Sequence, residues 1–231
     1  MSFLSSLKEI FGLKNKFIIY NLVSRNLKLR YRKSILGIFW TMLIPGITAI
    51  VYFLVFQFVM KINLPNYLFF LLLGLIPWTF LSGALTLGLE SIVVNHPILN
   101  KVPVPPFVFP FSEILTAFLN LLFALPVLTL VALLMDVHIS IYWCLFPIYL
   151  GILFLMTYFI TLTMSVLYVY FRDLRHIVSV LMQLWFYGTP VIYESAMIPE
   201  KYQFVLYLNP VALIFHGLHE SVIHSRALTS V

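Results

Sequence analysis

Apolar runs too long for a soluble core helix alternate along this chain with short polar stretches that hold almost all of its charge. A bilayer core is crossed by about 20 apolar helical residues. No Asp, Glu, Lys or Arg lies between Lys33 and Lys61, so the first span is expected over 35–60. The same pattern predicts spans at 67–89, with Gly74 and Pro77 inside, at 111–135 and at 139–171. Such breakers are tolerated in lipid when neighbouring helices satisfy the freed backbone groups. The fourth run exceeds what a bilayer requires, so it tilts or emerges from the membrane. A fifth, weaker run covers 177–193 and is interrupted by Gly188 and Pro190.

Two segments follow other patterns. Over 13–33, Leu13, Phe17, Tyr20, Leu27 and Tyr31 recur at three- to four-residue steps, and Asn21, Arg25, Lys28 and Arg32 mark a second face. That pattern describes an amphipathic helix in the membrane interface, either a simple anchor or a helix that also meets a cytoplasmic partner. The other segment, 202–219, is apolar but broken by Asn209 and Pro210. A mid-run Pro removes a backbone donor and restricts the residue before it. With Pro190 and Pro199 this predicts short half-helices dipping into the outer leaflet, within a broken or re-entrant stretch over 194–223. The expected fold is therefore an all-α polytopic bundle of five to six transmembrane helices. It has an N-terminal interface segment over 1–34 and one transmembrane domain over 35–231, with no internal repeat or linker.

Composition agrees and narrows the class. Hydrophobic residues make up 62% of the chain and charged ones 10%, against roughly a quarter charged in soluble domains. The mean hydropathy is +1.03. The net charge of +6 does not point to nucleic acid. Lys8, Lys14, Lys16, Arg25, Lys28, Arg30, Arg32 and Lys33 crowd ahead of the first span, where basic residues set orientation and touch anionic headgroups. Placing the N-terminus in the cytoplasm also puts Lys101, Arg172 and Arg175 inside, and leaves Lys61, Asp136, His138, Glu194, Glu200 and Lys201 outside. The single Cys144 excludes an internal disulfide and reads as a small buried side chain. The first run of spanning length, near Ile35, starts too late and runs too long for a cleaved signal peptide.

Few residues suggest chemistry. The connection 95–106 opens on Asn95 and His96 and closes on Pro103, Pro105 and Pro106. It reads as a short helix that plugs into a soluble motor subunit, or as an inert Pro-rich loop. Arg172 and Asp173 end the fourth run and pair with each other or with helix ends. Glu113, near the start of the third span, reaches headgroups or meets Lys101; as an intramembrane carboxylate it is also a candidate for proton coupling, the lesser of these readings. His216, Glu220 and His224 share one helix face, but His219 and His224 are five apart, not the four of a zinc protease helix. A polar helix at the interface accounts for them better than a metal. Trp40, Trp78, Tyr142 and Trp143 fit interfacial aromatic belts. The many Phe residues fit lipid-facing packing, or a channel along which sugar rings slide.

Five short motifs, in order, resemble the ABC-type permeases that export O-antigen, capsular polysaccharide and teichoic acid. They are Arg30-Tyr31-Arg32-Lys33-Ser34-Ile35-Leu36-Gly37-Ile38-Phe39-Trp40 with Pro45; Tyr67 with 74–80; Asn95 with 101–105; Tyr170-Phe171-Arg172-Asp173; and 189–193 with Leu208-Asn209-Pro210. Together they cover about residues 25–215.

The resemblance implies a homodimer in a bacterial inner membrane, N-terminus inside, above two copies of a nucleotide-binding ATPase subunit. ATP and Mg would be bound by that partner, with no cofactor and no catalytic residue here; no Walker-type loop occurs in the sequence. It implies that His96, Pro97, Ile98, Leu99, Asn100 and Lys101 form the coupling helix that receives the ATPase stroke. Arg25, Lys28, Arg30, Arg32 and Lys33 would frame that contact, and Arg172 and Asp173 would stand at a cytoplasmic gate or helix end. Pro190, Tyr193, Asn209 and Pro210 would shape periplasmic half-helices at the exit of a channel for a glycan on a lipid carrier. Family members carry one more span after the Asn-Pro region. With the sequence ending at Val231, either that span is missing or 202–223 crosses the membrane itself.

Three other functions would need different residues. A membrane enzyme acting on lipid-linked sugars needs several polar groups converging near one leaflet, and Glu113 stands almost alone. A secondary transporter predicts inverted repeats and ionisable residues at the midplane, and neither is found. An ABC permease for drugs or small lipids differs in that its loss would not make glycan accumulate inside cells.

Overall fold

The computed structural model describes residues 13–59, 61 and 64–226, and among these the chain is helical with no strand. Nine α-helices are described: α1 (Leu13–Tyr31), α2 (Trp40–Leu54), α3 (Tyr67–Val94), α4 (His96–Leu99), α5 (Val108–Leu134), α6 (Phe146–Tyr170), α7 (Leu174–Tyr187), α8 (Glu200–Leu208) and α9 (Pro210–Val222). Lys8, and the side chains of Leu13 and Lys14, lie outside the described residues.

Among the described residues, four stretches are long and apolar enough to cross a membrane: Gly37–Val59, Tyr67–Val94, Val108–Leu134 and Ile141–Tyr170. The chain is a multi-pass membrane protein. The run expected over 177–193 forms instead the 14-residue α7, only about 21 Å long at 1.5 Å per residue. The segment 202–223 does not cross as one helix either. It is divided at Asn209 into α8 and α9.

α3 is the axis of the bundle. Phe69, Leu71, Leu73, Leu81 and Ala84 are fully buried on different sides of it, because α2, α5, α6, α7 and α9 all pack around it. Two glycines permit the closest approaches. A Cβ on Gly74 would stand 2.5 Å from the Val191 carbonyl oxygen, and one on Gly88 would collide with the Thr161 methyl. Aromatic rings fill the layers between helices, as in Phe80 against Phe118 and Phe154, at 5.6 and 6.2 Å between centroids.

α1 crosses the end of the bundle where α3 finishes and α5 begins. Ile19, Leu22 and Val23 form a second small core there with Val104, Val108 and Phe109. Phe17 and Tyr20, on the apolar face expected in the interface, are 68% and 69% exposed and take no part in this core. Two left-handed residues, Lys33 (φ 63°) and Gly37 (φ 51°), then turn the chain into the first span. Two further expectations are corrected. Trp78 lies deep, 5.3 Å from Phe186 between ring centroids, and not in an interfacial belt. Cys144 is exposed, because it lies on the short turn Ile141–Leu145 that leads into α6.

Candidate functional site

At the α1 end, the chain between α3 and α5 projects as a knuckle. Asn95, only 7% exposed, roots it: its Nδ2 donates to the Ser91 carbonyl at 2.8 Å. Pro97 sits in the first turn of α4, where a missing N–H costs nothing. Ile98 and Leu99 pack down onto the small core beneath α1. His96, Pro97, Asn100 and Lys101 are left exposed on the outside. The six residues expected to form a coupling helix thus divide into two anchors and four outward-facing side chains.

The knuckle is joined to α1 by polar contacts that the sequence did not disclose. Arg25 donates from Nη2 to Asn95 Oδ1 at 3.0 Å. One residue on, Asn26 Nδ2 donates to Glu113 Oε1 at 2.7 Å. Glu113 is therefore held by α1. Tyr31 completes the series by donating to Asn120 Oδ1 at 2.9 Å. Burial raises the Tyr31 hydroxyl above its ordinary value, against the opposing pull of Arg30, so it stays a donor. Arg25, Lys28 and Arg32 line a shallow depression with Asn21 and Ser24 on the outer side of α1. Arg30 and Tyr31 line a different cavity, about 420 Å³, with Trp40 and Asn120. Lys33 is exposed at the turn into the first span.

The Arg172 and Asp173 segment lies where α6 gives way to α7. Arg172 stands over the Tyr168 ring at 5.3 Å. The ion pair here is formed by Arg175, whose Nε meets Glu90 Oε1 at 2.9 Å, and this fastens α7 to α3.

Between α2 and α7 a cavity of about 360 Å³ is lined by Tyr52, Trp78, Phe186 and Tyr187 together with Thr48 and Gln183. Tyr52 and Phe186 stack at 6.2 Å. Above it the chain turns away from α7. Pro190 is buried, the Ile192 carbonyl accepts from the Tyr67 hydroxyl at 2.7 Å, and the Tyr193 hydroxyl donates to the Tyr187 carbonyl at 2.8 Å.

Asn209 splices the half-helices. Its Oδ1 accepts from Trp185 Nε1 at 2.9 Å and from Val211 N–H at 3.1 Å, and its Nδ2 donates to the Gly188 carbonyl at 3.1 Å and Thr189 Oγ1 at 3.0 Å. One side chain thus caps the start of α9 and satisfies the end of α7, as helix ends away from water require. Pro210 follows as the first residue of α9, the position its ring favours.

α9 then runs to the distal end, where Val222 O accepts from Trp143 Nε1 at 3.1 Å. His216 Nδ1 lies 3.2 Å from Ser195 Oγ, and His224 lies 3.7 and 4.0 Å from Glu194 and Glu220. His219 stacks on Phe70 at 4.0 Å. Burial lowers His216 and pushes His219 down to about 3, so both are neutral at ordinary pH. Among the described residues no group of three or more His, Cys, Asp or Glu is placed to hold a metal ion.

The family model for ABC-2 type transporters matches residues 19–223. The chain is similar to the O-antigen export system permease protein RfbA of Klebsiella pneumoniae, 34% identical over 209 residues, which is 90% of this chain and 81% of that protein. It is also similar to the RfbA protein of Myxococcus xanthus, 37% identical over 196 residues, 84% of this chain and 75% of the relative.

Proposed function

We propose, from the premise that the chain belongs to the ABC-2 type transporter family, that it is the membrane-spanning subunit of an exporter for lipid-linked polysaccharide. O-antigen is the first candidate cargo, with capsule or teichoic acid next. Two copies of the chain sit above two ATP-binding subunits in a bacterial inner membrane, with the α1 end in the cytoplasm. ATP and Mg are handled by the partner, and this chain converts the partner's stroke into movement of the glycan.

The observation that carries this reading is the knuckle. Its four exposed residues, His96, Pro97, Asn100 and Lys101, suit a socket on a soluble subunit. Its anchors and Asn95 give it rigid connections to α1, α3 and α5. A push on the knuckle therefore reaches α1 through Arg25, and α1 holds α5 through Asn26–Glu113 and Tyr31–Asn120. The basic side chains around α1, with Lys101, Arg172 and Arg175 at the same end, support a cytoplasmic placement by the Lys/Arg bias.

The aromatic cavity between α2 and α7 supports a sugar cargo. Pyranose rings present carbon-bound hydrogens on their faces and hydroxyls on their edges. Tyr52, Trp78 and Phe186 offer flat apolar surfaces, and Thr48 and Gln183 offer polar atoms beside them. The open side of α2 is where a second copy would complete such a path. Cells lacking the chain should accumulate lipid-linked glycan on the cytoplasmic side and regain surface glycan when it is supplied. Normal surface glycan in its absence would sink this function, and accumulation of a different lipid or drug would redirect it.

A further inference from the structure

On the side of α5 away from Glu113, α1 and α5 leave between them a groove of about 400 Å³, within the size range of ligand sites. One wall is Ile19 and Val23 of α1, and the other is Phe111, Leu115 and Leu119, spaced along one stripe of α5. Behind it Phe118 is fixed by Phe80 and Phe154, at 5.6 and 5.0 Å between ring centroids. Two side chains at the edge differ in kind. Lys16 and the largely exposed Tyr20 belong to the lining, and Lys16 has no ion-pair partner among the described residues.

We propose that this groove binds one membrane phospholipid with an anionic headgroup, its acyl chain lying along α5 and its phosphate against Lys16. Depth and charge both argue for that occupant. The α5 wall belongs to an apolar span, so whatever fills its lower part is hydrocarbon. The lysine lies on a helix whose further cations, Arg25, Lys28 and Arg32, make this end of the protein strongly basic. An apolar tail beside a negative head is the shape of a phospholipid. The lipid would act as a wedge between α1 and α5, beside the small core that Ile19, Leu22 and Val23 form. A protein partner would have to enter the hydrocarbon layer to fill the same space.

The test uses the full chain purified in mild detergent, stripped of lipid and titrated with phosphatidylglycerol or phosphatidylcholine, with bound lipid counted by native mass spectrometry. Wild type should hold one phosphatidylglycerol more tightly than phosphatidylcholine. Lys16→Gln should weaken phosphatidylglycerol about fivefold, as loss of one cation near an anionic surface implies, and leave phosphatidylcholine unchanged. Leu115→Trp, which fills the groove, should abolish the tight site for both lipids, with circular dichroism reporting that the helices persist. Should Leu115→Trp fail to fold, Lys16→Gln alone decides. Equal affinity for the two lipids, or phosphatidylglycerol binding untouched by Lys16→Gln, overturns the proposal. Neither readout depends on transport or on the ATPase.

Discussion

The central helix α3 buries 78% of its most apolar window inside the protein, whereas the span holding α2 buries 11% of its own. The two windows are almost equally apolar, so the difference is not one of hydrophobicity. It lies in shape. α3 has glycines where neighbours press closest, at Gly74 and Gly88, and a Cβ on Gly46 in α2 would meet nothing within 4 Å. Lipid tails are as apolar as leucine, so helices in membranes associate through close packing and polar contacts, not through hydrophobicity as such. α3 is placed by such packing. α2 keeps an open flank, which suits a span that faces a second copy and a cargo path.

Substitution at matched glycines gives the largest expected contrast. Gly74→Ala forces the Val191 backbone to move and should destabilise the purified protein by about 2 kcal/mol, seen as a clear drop in thermal midpoint. Gly46→Ala should leave the midpoint unchanged or raise it by up to about 1 kcal/mol through helix propensity. Equal effects at both sites would remove the distinction between the helices.

A middle-sized effect is expected at the α1 contacts. Asn26→Ala leaves the Glu113 carboxylate without its donor and should cost about 1–2 kcal/mol. Combining it with Glu113→Ala should add much less than the two single losses, as coupled partners do. Simple additivity in denaturation would mean that the bond contributes nothing.

The smallest effect is the pH dependence between pH 7 and 6. His219 has a folded pKa of about 3, below its ordinary unfolded value near 6.5. The unfolded chain therefore binds the extra proton first, and stability falls as pH drops from about 6.5 toward 3, with no change above pH 7. One such group gives a loss of about 1 kcal/mol by pH 6. His219→Phe, which keeps a ring against Phe70, should flatten this slope, and an unchanged slope would assign it to other groups.

Hydropathy made the four long spans legible, and it could do no more for the bundle's order because every span is apolar. The helical character of α1 was also readable, but the stripe that packs on the bundle was not. Three- to four-residue spacing is satisfied both by Phe17 and Tyr20 and by Ile19 and Val23, and only the position of Val104, Val108 and Phe109 selects the second stripe. The break at Asn209-Pro210 was visible as a helix boundary. What stayed hidden was the reach of Asn209 back to Trp185, Gly188 and Thr189, since a bond across twenty residues leaves no local pattern. Glu113 stands out in the sequence as a lone carboxylate, and its partner Asn26 lies 87 residues away, beyond any local pattern.

The central claim, that the knuckle couples this chain to an ATPase, is tested most directly by co-purification. The tagged chain is expressed with the ATPase subunit encoded beside it, and the ratio of the two proteins is measured after membrane extraction. Equal amounts are expected for wild type, with Lys101→Glu, on an exposed side chain, greatly reducing the ATPase while leaving the chain's own thermal midpoint intact. Full retention of the ATPase by Lys101→Glu and by Asn100→Asp together, or a wild-type chain that purifies without any ATPase, would contradict the account.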